Sequence, residues 1–142
     1  MENNPLKQVP VVSLPDPGIY TALGQGGIEA LVLAVYKLLA VSPIKAMFPA
    51  DPAELEKSAV RSALFWVTAC GGPPLYEQQV GPPRMRARHL KFTIDETSRR
   101  HWLDCWDVVL ATAEADFGFP GPLLPSFRVY LESFSQWMVN SP

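Results

Sequence analysis

Histidine and cysteine are scarce, two of each in 142 residues, and their spacing removes several chemistries. Cys70 and Cys105 form neither Cys-x-x-Cys nor Cys-x-x-Cys-His. A c-type haem attachment and a zinc knuckle are thereby unsupported, and two buried free thiols are expected. His89 and His101 do not stand at i, i+4, so no helix can present both to one metal. A Gly-rich phosphate loop, Gly-x-Ser-x-Gly and His-Glu-x-x-His are all missing. Charge of one sign is missing too: Lys and Arg number 12 against 14 Asp and Glu, a formal charge of -2, which argues against a general binder of nucleic acid or anionic membranes. The most apolar run, 28–41, contains Glu29, Tyr36 and Lys37 and is too short to span a bilayer. The start, Met1-Glu2-Asn3-Asn4-Pro5, lacks the basic and apolar regions of a signal peptide. These features predict a soluble, cytoplasmic protein in a reducing compartment.

No alternating strand pattern, internal repeat or heptad run is present, and helical spacing dominates. With 48% hydrophobic residues the chain is long enough for one packed core. Residues 1–18 hold Pro5, Pro10, Pro15 and Pro17 and predict an extended arm, followed by one domain over 19–142. After Gly26-Gly27, Ile28, Leu31, Val32, Val35, Leu38 and Leu39 recur at the spacing of one helix face. A second helix is expected over about 53–70, closed by Gly71-Gly72-Pro73-Pro74 as a left-handed cap followed by a block. Residues 73–83 read as a loop, and Pro82-Pro83 can start a short helix ending near His89. The strongest pattern is Trp102, Cys105, Trp106, Val109, Leu110 and Ala113, on a helix over about 96–113 capped by Thr93 with Glu96 or by Asp95. Residues 117–122 are turn-rich, and Phe127, Tyr130, Leu131, Phe134 and Met138 mark a last helix. An all-α domain of five or six helices follows.

Read as isolated residues, the candidates stay ambiguous. His89 lies in Arg84-Met85-Arg86-Ala87-Arg88-His89, where a lone histidine is more often a surface or capping residue than a ligand. The basic run, which extends over 84–91 to Lys91, is equally a solvated face or a site for carboxylates or phosphate. Tyr36 and Trp102 read as core aromatics, and the two serines at 58 and 62 sit oddly near an apolar helix face.

Taken together, Tyr36, Phe48-Pro49, Gly71-Gly72-Pro73-Pro74-Leu75-Tyr76, the 84–89 block, Phe92 and Trp102-Leu103-Asp104-Cys105 resemble a group II truncated haemoglobin. The likeness covers about 19–112 and returns in Tyr130-Leu131-Glu132 and in 139–142. It implies a two-over-two helical sandwich around one haem b. On this likeness His89 corresponds to the proximal iron ligand. Arg88 and Tyr76 correspond to positions approaching the haem propionates, with Arg84 and Arg86 as further candidates, and Met85 and Phe92 to proximal apolar contacts. Tyr36 and Trp102 correspond to the distal polar pair, with Phe48 at the porphyrin edge. Aligned back from Gly71-Gly72, the distal positions fall on Ser58 and Ser62, a departure from the family; a shifted register would place Glu56 and Val60 there.

The implied function is binding of oxygen, carbon monoxide and nitric oxide. Nitric-oxide dioxygenase or peroxidase-like turnover would need a separate reductase, because the chain has no flavin or nicotinamide motif. The competing expectation is a sensor or interaction module, with or without haem, that acts through a protein partner.

Overall fold

Just before the first helix, Asp16 Oδ1 accepts from Gly18 N at 2.8 Å, and the Asp16 N–H donates to Ser126 Oγ at 3.2 Å. The computed structural model describes residues 14–142. The expected arm therefore lies mostly outside the described residues. Its last residues are tied down, since Pro15 is buried and Asp16 reaches the far end of the chain.

Helix α1 (Gly18–Leu39) begins earlier than the spacing predicts, because Gly24, at φ 66 and ψ 179, breaks the helical path. That conformation is nearly closed to other residues. The turn before it carries Ile19 into the core, while the part after it buries Ile28, Leu31, Val32, Val35 and Leu39. By length and composition α1 could cross a membrane. Its inner side is instead packed on neighbouring helices.

Asp51 caps α2 (Pro52–Ala69) by accepting from Glu54 N at 3.0 Å, with Pro52 at the first helical position. At the other end Gly71 takes φ +101 while Gly72 N donates to Val67 O and Gly71 N to Thr68 O. This is the Schellman pattern anticipated for the glycine pair. A Cβ on Gly72 would lie 2.7 Å from the Tyr20 ring, so the cap also lets the start of α1 close onto the end of α2.

Two short helices were not anticipated. Residues 75–79 were read as loop and form α3 (Leu75–Gln79), and α6 (Ala113–Phe117) follows the long helix α5 (Glu96–Leu110) after a turn. A one-turn helix is too short to display a period. Of the two cap candidates for α5, Asp95 is the one used, accepting from Ser98 N at 2.8 Å. Helix α4 (Met85–Arg88) is a single turn, and α7 (Leu124–Met138) closes the chain. Seven α-helical segments and two short 3-10 turns (Lys45–Met47, Gly121–Leu123) thus replace the expected five or six helices among the described residues, with no strand.

Helix α1 packs along α2 and α5 along α7, with α1 also touching α5, giving the two-over-two sandwich. Trp66 of α2 sits at the junction, with its ring centroid 5.4 to 6.1 Å from Trp106, Phe127, Tyr130 and Phe134. Such edge-on aromatic pairs add to the burial of large apolar surface. Cys70 and Cys105 are free and buried, as expected, and burial pushes the Cys70 thiol up to about 12.

Candidate functional site

The sandwich leaves a cavity of about 600 Å³ between α1, α2, α4, α5 and α7. Tyr36, Phe48, Ser58, Ser62, Tyr76, Met85, Arg88, His89, Phe92 and Trp102 all line it. The volume falls within the range of small-molecule and cofactor sites. Rings and thioether carbon from Phe65, Phe134 and Met138 extend the apolar wall.

His89 is positioned by a short, heavily anchored segment. Arg84 adopts a left-handed φ of 40 before α4, a costly conformation for an arginine that neighbouring contacts must hold. The buried Arg86 provides one such contact, donating from Nε to Trp137 O at 3.0 Å and from Nη2 to Val139 O at 3.2 Å. Arg88 provides another, donating to Pro83 O at 2.7 Å and Pro82 O at 2.9 Å, with its guanidinium 5.5 Å from the Tyr76 ring centroid.

Asn140 completes the frame: its Oδ1 accepts from Ile94 N at 2.9 Å and its Nδ2 donates to Phe92 O at 3.0 Å. The chain end thereby fixes the loop leaving His89.

His89 Nδ1 lies 2.7 Å from Met85 O. A carbonyl can only accept, so Nδ1 carries the proton and Nε2 keeps its lone pair in the neutral ring. Burial lowers the His89 pKa, the Met85 bond opposes that shift, and the charges of Lys91 and Arg88 add to the lowering. The imidazole is therefore neutral at neutral pH. A neutral ring whose other nitrogen is already bonded is the form that ligates a metal.

Across the cavity the Tyr36 ring meets Phe48 edge-on, centroids 5.4 Å apart. Burial raises the Tyr36 pKa, outweighing hydrogen bonding from Ser62 and Ser58, so the phenol keeps its proton. Trp102 packs against Trp66, Trp106 and Phe134 in tilted and edge-on contacts, ring centroids 5.9 to 6.4 Å apart. No carbonyl or side chain among the described residues accepts from its indole N–H, and an indole can only donate. Ser58 and Ser62 occupy the α2 wall, while Val60 is 41% exposed and Glu56 faces outward. The positions counted back from the glycine cap, Ser58 and Ser62, are the ones that face the cavity.

The basic run divides. Arg84 is exposed outside the cavity and Arg86 is turned away toward the chain end, so neither candidate joins the site. Arg88 reaches the cavity with two of its nitrogens already bonded to the preceding loop. Lys91, the last residue of the run, also lines the cavity, and sequence reasoning missed Arg61 and Arg99, which line it too. Arg61 was findable, lying three residues after Ser58 and beside Ser62. Arg99 bridges to α7, donating to Ser135 Oγ at 3.0 Å and Glu132 O at 3.1 Å.

Among the described residues no three His, Cys, Asp or Glu side chains come together to hold a metal ion. His89 alone could retain iron only if the other ligands arrived with the metal, as in a macrocycle. The cavity volume, the apolar rings and the free Nε2 fit such a group.

Residues 18–118 match the family model of the bacterial-like globins. The chain is 34% identical over 122 residues to the group 2 truncated hemoglobin YjbI of Bacillus subtilis, covering 85% of this chain and 87% of that protein. Its fold is similar to phosphate-bound Hell's gate globin IV, at 39% identity and TM-score 0.83, covering 92% of this chain and 79% of the other. It is also similar to the group II truncated hemoglobin from Bacillus anthracis, at 32% identity and TM-score 0.76, covering 89% and 92%.

Proposed function

The chain belongs to the bacterial-like globin family, as a group II truncated haemoglobin, and from that membership we propose that it binds one haem b through His89 and uses it to take up oxygen. A haem implied by the family supplies an iron with one coordination position open to a diatomic gas. The observation that carries the reading is the His89 to Met85 carbonyl bond at 2.7 Å, which fixes the ring with Nε2 as its ligating atom. Met85 and Phe92 flank that ring on the cavity wall.

Arg88 with Tyr76, and Lys91 beside Phe92, offer cation and hydroxyl donors suited to the two propionate carboxylates. Tyr36 and Trp102 offer two further donors to a ligand that gains negative charge when bound. Each such bond contributes about 1.5–3 kcal/mol where its partner is charged. Carbon monoxide and nitric oxide fit the same space. Nitric-oxide dioxygenase and peroxidase-like reactions belong to this proposal as uses of the same donors, driven by electrons from a separate reductase.

The test is the visible spectrum of the purified protein, ferric and then reduced under carbon monoxide. A strong haem band is expected for the wild type, with loss of the histidine-ligated form in His89→Ala. A colourless protein that fails to take up added haemin would sink the reading.

A further inference from the structure

A second groove, of about 330 Å³, runs between the end of α5 and the start of α7 and shares no lining residue with the main cavity. Leu110, Ala111, Leu124 and Pro125 line it, and the Asp107–Arg128 ion pair borders it, Nε to Oδ1 at 2.6 Å. Val108 and Val129, next in sequence to groove residues, are 61% and 54% exposed, so apolar surface continues onto the outer faces of both helices. Open apolar surface shared by two neighbouring helices marks a place where something docks.

The described chain starts beside this surface. Leu14 is 63% exposed, and two residues later the Asp16 N–H donates to Ser126 Oγ in the first turn of α7. At about 100° per residue, Val129 and Pro125 lie on α7 between Ser126 and the groove-lining Arg128 and Leu124. A segment that runs back from Leu14 over Val129 and Pro125 therefore enters the groove after passing nearly halfway round a helix about 10–12 Å across. Five extended residues span about 17 Å, which is enough.

Counting back from Leu14, residues 9–12 are Val-Pro-Val-Val, and Lys7 is the only charged residue from Leu6 to Ser13. Reach and chemistry thus agree, since adjacent apolar side chains come within range of an aliphatic groove. A second copy of the chain could cover the same face only from free solution. A segment tethered at Ser126 acts at a far higher effective concentration.

We propose that residues 9–12 dock in the groove between α5 and α7, with Val129 and Pro125 beneath the connection to Leu14. The proposal is independent of the haem reading, because the groove and the main cavity have no residue in common.

Lys7 is the only trypsin site before Lys37 and lies two residues ahead of the docked stretch. Release of residues 1–7 from the full chain is followed by mass spectrometry, beside a free peptide of residues 1–16. Trypsin grips several residues on each side of the bond it cuts, so cleavage tracks the undocked fraction and should be about tenfold slower, or more, than in the peptide. Ala111→Glu places a charge in the groove, and Val129→Glu places one on the path to it. Both positions are exposed, so the fold tolerates the changes, and each should restore most of the peptide's rate. Wild-type protein cut as fast as the peptide overturns the proposal. Slow cleavage that neither substitution accelerates also overturns it, seating the segment elsewhere. A wild-type dimer in light scattering that Ala111→Glu dissociates, with Lys7 cut at the peptide's rate, overturns it in favour of a second copy in the groove.

Discussion

Asn140→Ala isolates the clamp that holds the cavity's lower loop. Two bonds vanish with the amide, the 2.9 Å acceptance from Ile94 N and the 3.0 Å donation to Phe92 O. The main-chain bonds from Asn140 N and Ser141 N to Ile94 O remain. Each lost neutral bond costs about 0.5–1.5 kcal/mol, and a partner left buried costs more. Phe92 and Ile94 are only half-buried, so water can reach their freed groups in part. The sum is about 2–3 kcal/mol, a large share of the stability of an ordinary domain.

At this chain length that corresponds to a fall in Tm of roughly 6–12 °C. Urea unfolding followed by tryptophan fluorescence should show a lower midpoint with an unchanged slope. Asn140→Asp separates the two contacts. It keeps an acceptor for Ile94 N but sets a carboxylate against Phe92 O, so it should be destabilising at neutral pH and recover in part when acid makes the carboxyl a donor. Because Phe92 and Ile94 line the cavity, Asn140→Ala should also lose haem faster. A midpoint unmoved by Asn140→Ala would refute the clamp, and an Asn140→Asp protein equal to wild type at neutral pH would refute the Phe92 bond.

Asp95 titrates with its pKa lowered by the Ser98 backbone and side-chain bonds, so its capping stabilisation is present above the ordinary carboxylate range and is lost as pH falls through the lower folded value. In that window the unfolded chain binds more protons, and stability drops with acid. Asp95→Asn caps without titrating, so its stability below about pH 4 should fall less steeply in urea titrations at successive pH values, and an identical pH dependence would count against the cap. Gly24→Ala should cost about 1–3 kcal/mol in the same assay even though nothing lies within 4 Å of the added Cβ, because the penalty comes from φ 66 and ψ 179 rather than from a clash; a neutral substitution would show that the kink can straighten.

Elements whose ends are set by local chemistry were legible in the sequence. The Gly71-Gly72 cap counts back along α2 without a gap, and that count placed Ser58 and Ser62 on the cavity wall rather than Glu56 and Val60. Asp95 capped α5 through bonds within its own first turn. Short segments were not legible: α3 and α6 are single turns, and the helix before Gly24 is too brief for apolar spacing to accumulate.

The basic run shows why charge is harder to read than periodicity. Arg84, Arg86, Arg88 and Lys91 looked like one cluster, yet successive residues of a helical turn point about 100° apart. The fold sends Arg84 to solvent, Arg86 to carbonyls more than 50 residues away, Arg88 to the loop before it and Lys91 over Phe92. Arg61, outside that run, joins Ser58 and Ser62 on the cavity wall through the helix repeat. Where a charge acts therefore depends on which carbonyls and carboxylates the tertiary fold brings to it. Arg86 and Arg88 are committed to main-chain oxygens, whereas Arg61 at the cavity rim bonds to no acceptor among the described residues, a difference that the sequence, in which all three are simply arginines, does not carry.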